Sequence, residues 1–223
     1  MSERFRYTSL AAIAATVAIG AAACGSSTSS IASDTPSQVL AATVAATKAA
    51  TSYEVSASGS FASGITSFDL KVVGTSISGS YVLNGATIDL MDIAGDFYIK
   101  APAAFYVGEG ATAAESTFLA AGWVEITPSS SYASDFSSLS MFTDIASQLE
   151  NVGTVTSGGT GTVNGQSVVI LKDTSGDTLD VASSGTAYPV QVTETGTSAG
   201  TYNLSNWDSV AKFTPPPNPL TLP

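Results

Sequence analysis

The 223-residue chain carries 7 basic and 18 acidic side chains, a net charge of −11, in a composition that is 44% hydrophobic and only 11% charged. This is enough sequence for one domain of ordinary core size, its surface covered mainly by Ser, Thr, Gly and small apolar groups. The acidic balance argues against a nucleic-acid partner, which needs a basic patch, and against broad electrostatic docking on anionic lipid heads. No histidine is present and Cys24 is the single cysteine, which excludes Ser-His-Asp and Cys-His nucleophile systems, His-ligated zinc or haem, and any internal disulfide.

Arg4 and Arg6 precede an apolar run from Leu10 to Ala22 that is interrupted only by Thr16. The run is too short for a membrane span of about 20 residues and reads as the apolar core of a secretory signal. It ends in Ala21-Ala22-Ala23-Cys24, which resembles a bacterial lipobox, with Ala21 standing where such boxes usually carry Leu. The resemblance implies cleavage after residue 23 and acylation of Cys24, and two or three acyl chains anchor a protein stably. Ala21 and Ala23 also satisfy an ordinary signal-peptidase site, which would leave Cys24 a free thiol. Either way, residues 1–23 are a signal peptide and the mature chain works outside the cytoplasmic membrane. Residues 24–34 form a Ser-rich flexible tether.

A single domain is expected over residues 35–214. Thr35-Pro36-Ser37-Gln38 has the form of a capping box with Pro at the first helical position, predicting a helix to about Thr51. The larger apolar residues of that helix are only Val39, Leu40 and Val44, beside Thr43, Ala46 and Thr47. From Tyr53 the period changes to two. Phe68–Val72, Tyr81–Leu83, Ile88–Leu90, Phe97–Lys100 and Trp123–Ile126 read as strands, with an Asn84-Gly85 hairpin turn between the second and third. Ala111–Ala121 and Ser137–Glu150 read as helices, the second with Leu139, Phe142, Ile145, Ala146 and Leu149 on one face. Val163, a second Asn-Gly turn at Asn164-Gly165 and a strand at Ser167–Lys172 follow, and then strands at Thr178–Ala182, Tyr188–Thr193 and Thr201–Trp207. Residues 215–223 form a Pro-rich extended tail. About eleven strands with tight turns, and about three helices, predict an α+β fold built on one large antiparallel sheet with helices on one face.

The charges orient that sheet. Asp69, Lys71, Asp89, Lys100, Glu125, Lys172 and Asp180 should face water. The apolar face then carries Leu70, Val72, Ile88, Leu90, Phe97, Ile99, Val124, Ile126, Val169, Leu171, Leu179, Val181, Val190, Val192 and Leu204. Alternation alone leaves open whether side chains or a ligand fill that face. Asp89, Asp92 and Asp96 are close in sequence, and so are Asp173, Asp177 and Asp180, which leaves carboxylate catalysis to be weighed. Both lie at or near turns, where Asp serves the backbone. The Asp173–Asp177 loop lacks the ligand alternation and terminal Glu of a calcium-binding EF-hand. Trp123 and Trp207 are open to a sugar-stacking or a core role. No enzyme, cofactor or metal is expected.

Several segments together resemble the actinobacterial lipoprotein family of LppX, LprA, LprF and LprG. They are the lipobox, the Ser-rich tether, the first helix PSQVLAATVAATKAATSYEVS, AGDFYIKAPAAF (94–105), AGWVEI (121–126) and VNGQSVVILKDTSGDTLDVASSGTAYPVQV (163–192). The resemblance implies a curved half-barrel shared with the LolA and LolB carriers, with helices across the concave face. It further implies binding of an acylated lipid or glycolipid in a hydrophobic cavity, for which the apolar-face residues named above are the expected wall, and transport toward the outer envelope. The protein would be anchored through Cys24 to the outer face of the cell membrane and would work alongside a membrane lipid exporter. The alternative is a non-enzymatic envelope interaction or adhesion lipoprotein whose core is filled.

Overall fold

The first helix starts where local chemistry dictates. Thr35 Oγ1 accepts the Gln38 N–H and Gln38 Oε1 accepts the Thr35 N–H, a reciprocal cap with Pro36 in the first turn. Helix α1 (Pro36–Ala49) follows. The structure, a computed structural model, describes residues 30–61, 64–127, 144–196 and 199–221.

After α1 the chain lays down β1 (Ser52–Gly59), β2 (Ile65–Val73), β3 (Ser76–Leu83), β4 (Ala86–Ile93) and β5 (Asp96–Lys100) as a meander. Two short helices, α2 (Ala103–Gly108) and α3 (Ala113–Leu119), lead to β6 (Val124–Ile126). Helix α4 (Ile145–Glu150) precedes a second meander of β7 (Thr156–Val163), β8 (Gln166–Lys172), β9 (Thr178–Ala182), β10 (Pro189–Glu194) and β11 (Gly200–Ser205). The last strand is β12 (Leu220–Thr221). All twelve join one sheet in the order β12-β6-β5-β4-β3-β2-β1-β11-β10-β9-β8-β7. The sheet is open, a half-barrel with β12 and β7 at its edges.

Both Asn-Gly turns form as the sequence predicts. Asn84 and Asn164 have φ near +50°, and Gly85 and Gly165 near +80°, the double left-handed geometry of a type I′ hairpin. Ala94-Gly95, between β4 and β5, adopts the same signs with a less suited first residue.

The differences from the sequence reading have local causes. The Pro-rich tail adds the twelfth strand: Leu220 pairs with Val124, and its N–H donates to Trp123 O at 2.7 Å. That pair is parallel, within an otherwise antiparallel sheet. The helix expected at 111–121 shortens to α3, because Thr112 and Glu115 form their own capping box at its start. Helix α2 was not anticipated; it begins after Pro102 without a side-chain cap. Of the helix expected over 137–150, Leu139 and Phe142 lie outside the described residues.

The buried apolar residues fall into two groups on the helix-covered face. The larger joins β1–β6 and Leu204 to Ala101, Tyr106 of α2 and Leu119 of α3. The second joins Val169 and Leu171 of β8 and Leu179 and Val181 of β9 to Val39 of α1, Leu149 of α4 and Ile31. Ile145 and Val192, both half-buried, touch both groups. Each half of the sheet therefore has its own pair of covering helices.

Candidate functional site

The structure brings most of the residues expected as the wall together as packed core, and of them Val72 lines the cavity described below. Leu70, Val72, Ile88, Leu90, Ile99, Val124, Ile126 and Leu204 are buried in the larger group, with Phe97 half-buried against it. Val169, Leu171, Leu179 and Val181 are buried in the second, and Val192 bridges the two.

Val190 is elsewhere. It packs with Val168 and Ala182 in a third, small group. Val168 and Ala182 are cross-strand partners one step off the inward pair Val169–Val181, so this group lies on the opposite face. The register between β9 and β10 shifts between Pro189 and Gln191. One extra residue in β10 inverts the parity at Val190, and alternation resumes at Val192.

Asp180 also departs from expectation. It is on the outer face but only 6% exposed, and burial raises its carboxyl above the usual range. Asp69, Lys71, Lys100 and Lys172 are exposed, and Asp89 and Glu125 half-buried. Tyr98, opposite Met91 and Glu125, is also on the outer face.

The inward stripe of α1 is Val39, Thr43 and Thr47, spaced one turn apart. Thr43 Oγ1 donates to Val39 O at 2.9 Å and Thr47 Oγ1 to Thr43 O at 2.8 Å. Both buried hydroxyls are thus satisfied within the helix, and the stripe stays narrow. Where α1 ends, a cavity of about 240 Å³ opens between it, the start of β1, the end of β2 and the start of α4. Thr47 and Thr51 line one side, Tyr53 and Val72 the floor, Ile145 the other side. Lys48 and Asp144 also line it, and Lys48 is ion-paired with Glu150 of α4. The cavity sits on the seam between the two apolar groups: Tyr53 and Val72 belong to the larger, Ile145 to both. Its volume is just below the roughly 300–1,000 Å³ of ordinary ligand pockets.

Behind the floor is an aromatic stack. Tyr53 lies 4.9 Å from Trp207, which stacks on Tyr188 at 4.5 Å with ring planes 4° apart. Trp207 Nε1–H donates to Pro189 O at 3.2 Å. Asp208 accepts from Thr51 N (2.6 Å), Thr51 Oγ1 (2.9 Å) and the Tyr188 hydroxyl. These bonds, the Thr51 N–H first, lower the Asp208 carboxyl, and the Asp208 bond pushes Tyr188 up to about 12. Burial, with the Asp144 charge, raises Tyr53 as well. Sequence reasoning singled out Trp207 but not its Tyr partners. The signal for the Thr stripe was present in the one-turn spacing of Thr43 and Thr47.

Three of the six grouped carboxylates bond turn and loop backbone, while Asp89 and Asp180 lie within β4 and β9. Asp92 Oδ1 accepts Gly95 N–H at 2.9 Å. Asp173 Oδ1 accepts Ser175 and Asp177 N–H, and Asp177 Oδ1 accepts the N–H and hydroxyl of Thr195. Cys24 lies outside the described residues.

This geometry matches solved structures. LprF from Mycobacterium bovis superimposes with a TM-score of 0.60 at 15% identity, over 83% of this chain and 97% of that one. The lipoprotein LppX of Mycobacterium tuberculosis does so with a TM-score of 0.53 at 17% identity, over 79% and 98%. The chain has the LprF and LppX fold. No protein-family model matches the sequence, and no curated protein matches it. The half-barrel implied by the sequence resemblance is therefore met at the level of fold.

Proposed function

We propose that the protein is an extracytoplasmic lipoprotein that shelters the acyl chains of a lipid or glycolipid between its sheet and helices. Acylated Cys24 holds it on the outer face of the cell membrane. There it receives its ligand alongside a membrane exporter and helps move it toward the outer envelope. The observation that carries this reading is the cavity on the seam of two separately covered apolar groups. An acyl chain entering there meets Tyr53 and Val72 on one side and the narrow Thr stripe of α1 on the other. Because the cavity is small, binding a chain requires α1 and α4 to part from the half of the sheet covered by α2 and α3. Each methylene removed from water contributes about 0.8 kcal/mol. Ten of them give roughly 8 kcal/mol before ordering costs, enough to hold a lipid without any catalytic step.

Native mass spectrometry of residues 25–223, purified from the producing cell's envelope, tests the reading. A discrete added mass that extracts into organic solvent as an acylated lipid is the expected result. A bare protein mass, together with no uptake of a fluorescent fatty-acyl probe, refutes it. The small cavity volume favours a second reading, a filled half-barrel acting as an envelope interaction protein, and that refuting result would assign it.

A further inference from the structure

The cavity and the root of the tether lie at the same end of the half-barrel. The cavity is bounded by Thr51 and Tyr53 at the start of β1 and by Val72 and Gly74 at the end of β2. From β1 the sheet runs through β11 and β10 to β9, each antiparallel to the last. The end of β9 is therefore at the same end as the start of β1. There the described chain begins: Ser30 bridges Ser184, Ile31 N–H donates to Ser183 O at 3.2 Å, and Ile31 is buried in the second apolar group. The domain is thus pinned to its N-terminal segment at the cavity's end of the sheet, three strands along from β1. The opposite end carries the Asn84-Gly85 and Asp173–Asp177 turns.

We propose that this end faces the bilayer, so that the cavity opens onto the membrane surface and takes acyl chains from it directly. Tether length excludes the inverted orientation. Six residue steps separate Cys24 from Ser30, and fully extended they span about 20–22 Å. The nine-residue β2 gives the half-barrel a length of about 30 Å along its strands. To turn the mouth away, the far end would have to fit between the root and the bilayer, and the tether is about 10 Å too short for that. The stacked Trp207 and Tyr188 lie at this same end, and amphipathic rings of this kind suit the headgroup level of a membrane.

The inference rests on the Cys24 anchor of the proposed function, and the test separates the two. The acylated full-length chain is reconstituted in phosphatidylcholine vesicles. Acylation blocks Cys24, so an introduced cysteine is the only free thiol. Thr75→Cys, in the exposed β2–β3 turn beside the mouth, and Ser175→Cys, in the exposed turn at the far end, each receive an environment-sensitive fluorophore. Quenching by nitroxide-headgroup lipid is expected to be several-fold stronger at 75 than at 175. Equal quenching, or stronger quenching at 175, overturns the inference while leaving the anchor intact. A Gly-Ser insert of about ten residues before Ser30 adds roughly 33–36 Å and is expected to abolish the bias. A bias that survives the insert refutes the tether argument. Failure of the acylated chain to float with the vesicles refutes the anchor itself, and this orientation with it.

Discussion

Thr47→Phe is the sharpest perturbation of the proposed site. Thr47 is 7% exposed, lines the cavity, and makes its side-chain hydrogen bond within its own helix. Losing that bond leaves no buried polar partner stranded, because the Thr43 carbonyl sits inside the helix ladder. Phenylalanine adds about four heavy atoms, which have space only in the 240 Å³ beside α1. They displace about four methylenes of a bound chain, a loss of roughly 3 kcal/mol at about 0.8 each. Affinity for a fluorescent fatty-acyl probe should fall by about two orders of magnitude. Thr47→Val, of nearly the same volume and without the hydroxyl, should bind the probe like the parent. The assay is probe titration of both variants, with urea unfolding to confirm that each is folded. A folded Thr47→Phe protein that takes up the probe as well as the parent does would show that acyl chains do not enter at this seam.

The other expectations concern single contacts. Val190→Ala should cost about 1–2 kcal/mol by opening the outer-face group and leave probe uptake unchanged, whereas Leu70→Ala should cost about 2–5 kcal/mol, both read by urea unfolding. Ala94→Asn should raise stability by about 0.5–1 kcal/mol, because Asn tolerates the φ of 55° that alanine adopts before Gly95; no rise in the urea midpoint would argue against an I′-like turn there. Tyr188 and Tyr202 are both pushed up to about 12, Tyr188 mainly by its bond to Asp208 and Tyr202 mainly by burial. The unfolded chain therefore loses these protons first, so their contribution is complete below pH 10 and lost between about pH 10 and 12. In Asp208→Asn, an ultraviolet titration should show the Tyr188 step moving down toward its ordinary value. Cys24→Ser should move the protein from the membrane fraction to the soluble one, and retention in the membrane would contradict the anchor.

What the sequence made legible was local. Thr35-Pro36-Ser37-Gln38 carries the whole geometry of a helix start in four residues, and Asn-Gly carries a hairpin turn in two. Alternation sorted the faces wherever the register held, and failed at Val190, where one extra residue in β10 reverses the count. Strand β7 was read only at Val163, because Gly158, Gly159 and Gly161 give it little strand character of its own. Its glycines answer to a neighbour instead: a Cβ at Gly158 would lie 2.6 Å from Ile170 Cγ2, so β7 passes over β8 only without one. Helix α2 has no polar period in Ala-Ala-Phe-Tyr-Val-Gly and is held by Tyr106 in the core. The cavity depends on how far α1 stands from β1 and β2, a distance that no residue pattern encodes.

On the proposed function, the two apolar groups are what would let a filled-looking half-barrel admit a guest. A single continuous core would resist parting anywhere, since every covering helix would pack on every strand. Here α2 and α3 hold β1–β6, α1 and α4 hold β8 and β9, and among the described residues only Ile145 and Val192 belong to both groups. Along the seam, α1 offers Thr43 and Thr47 where leucines would each add roughly 1.5–3 kcal/mol of grip. Their hydroxyls are already bonded to the helix's own carbonyls, so moving α1 strands no polar group in the core. Parting the seam therefore uncovers only a narrow apolar strip on each side, and an acyl chain lying between the two strips covers both again with packing of the same kind.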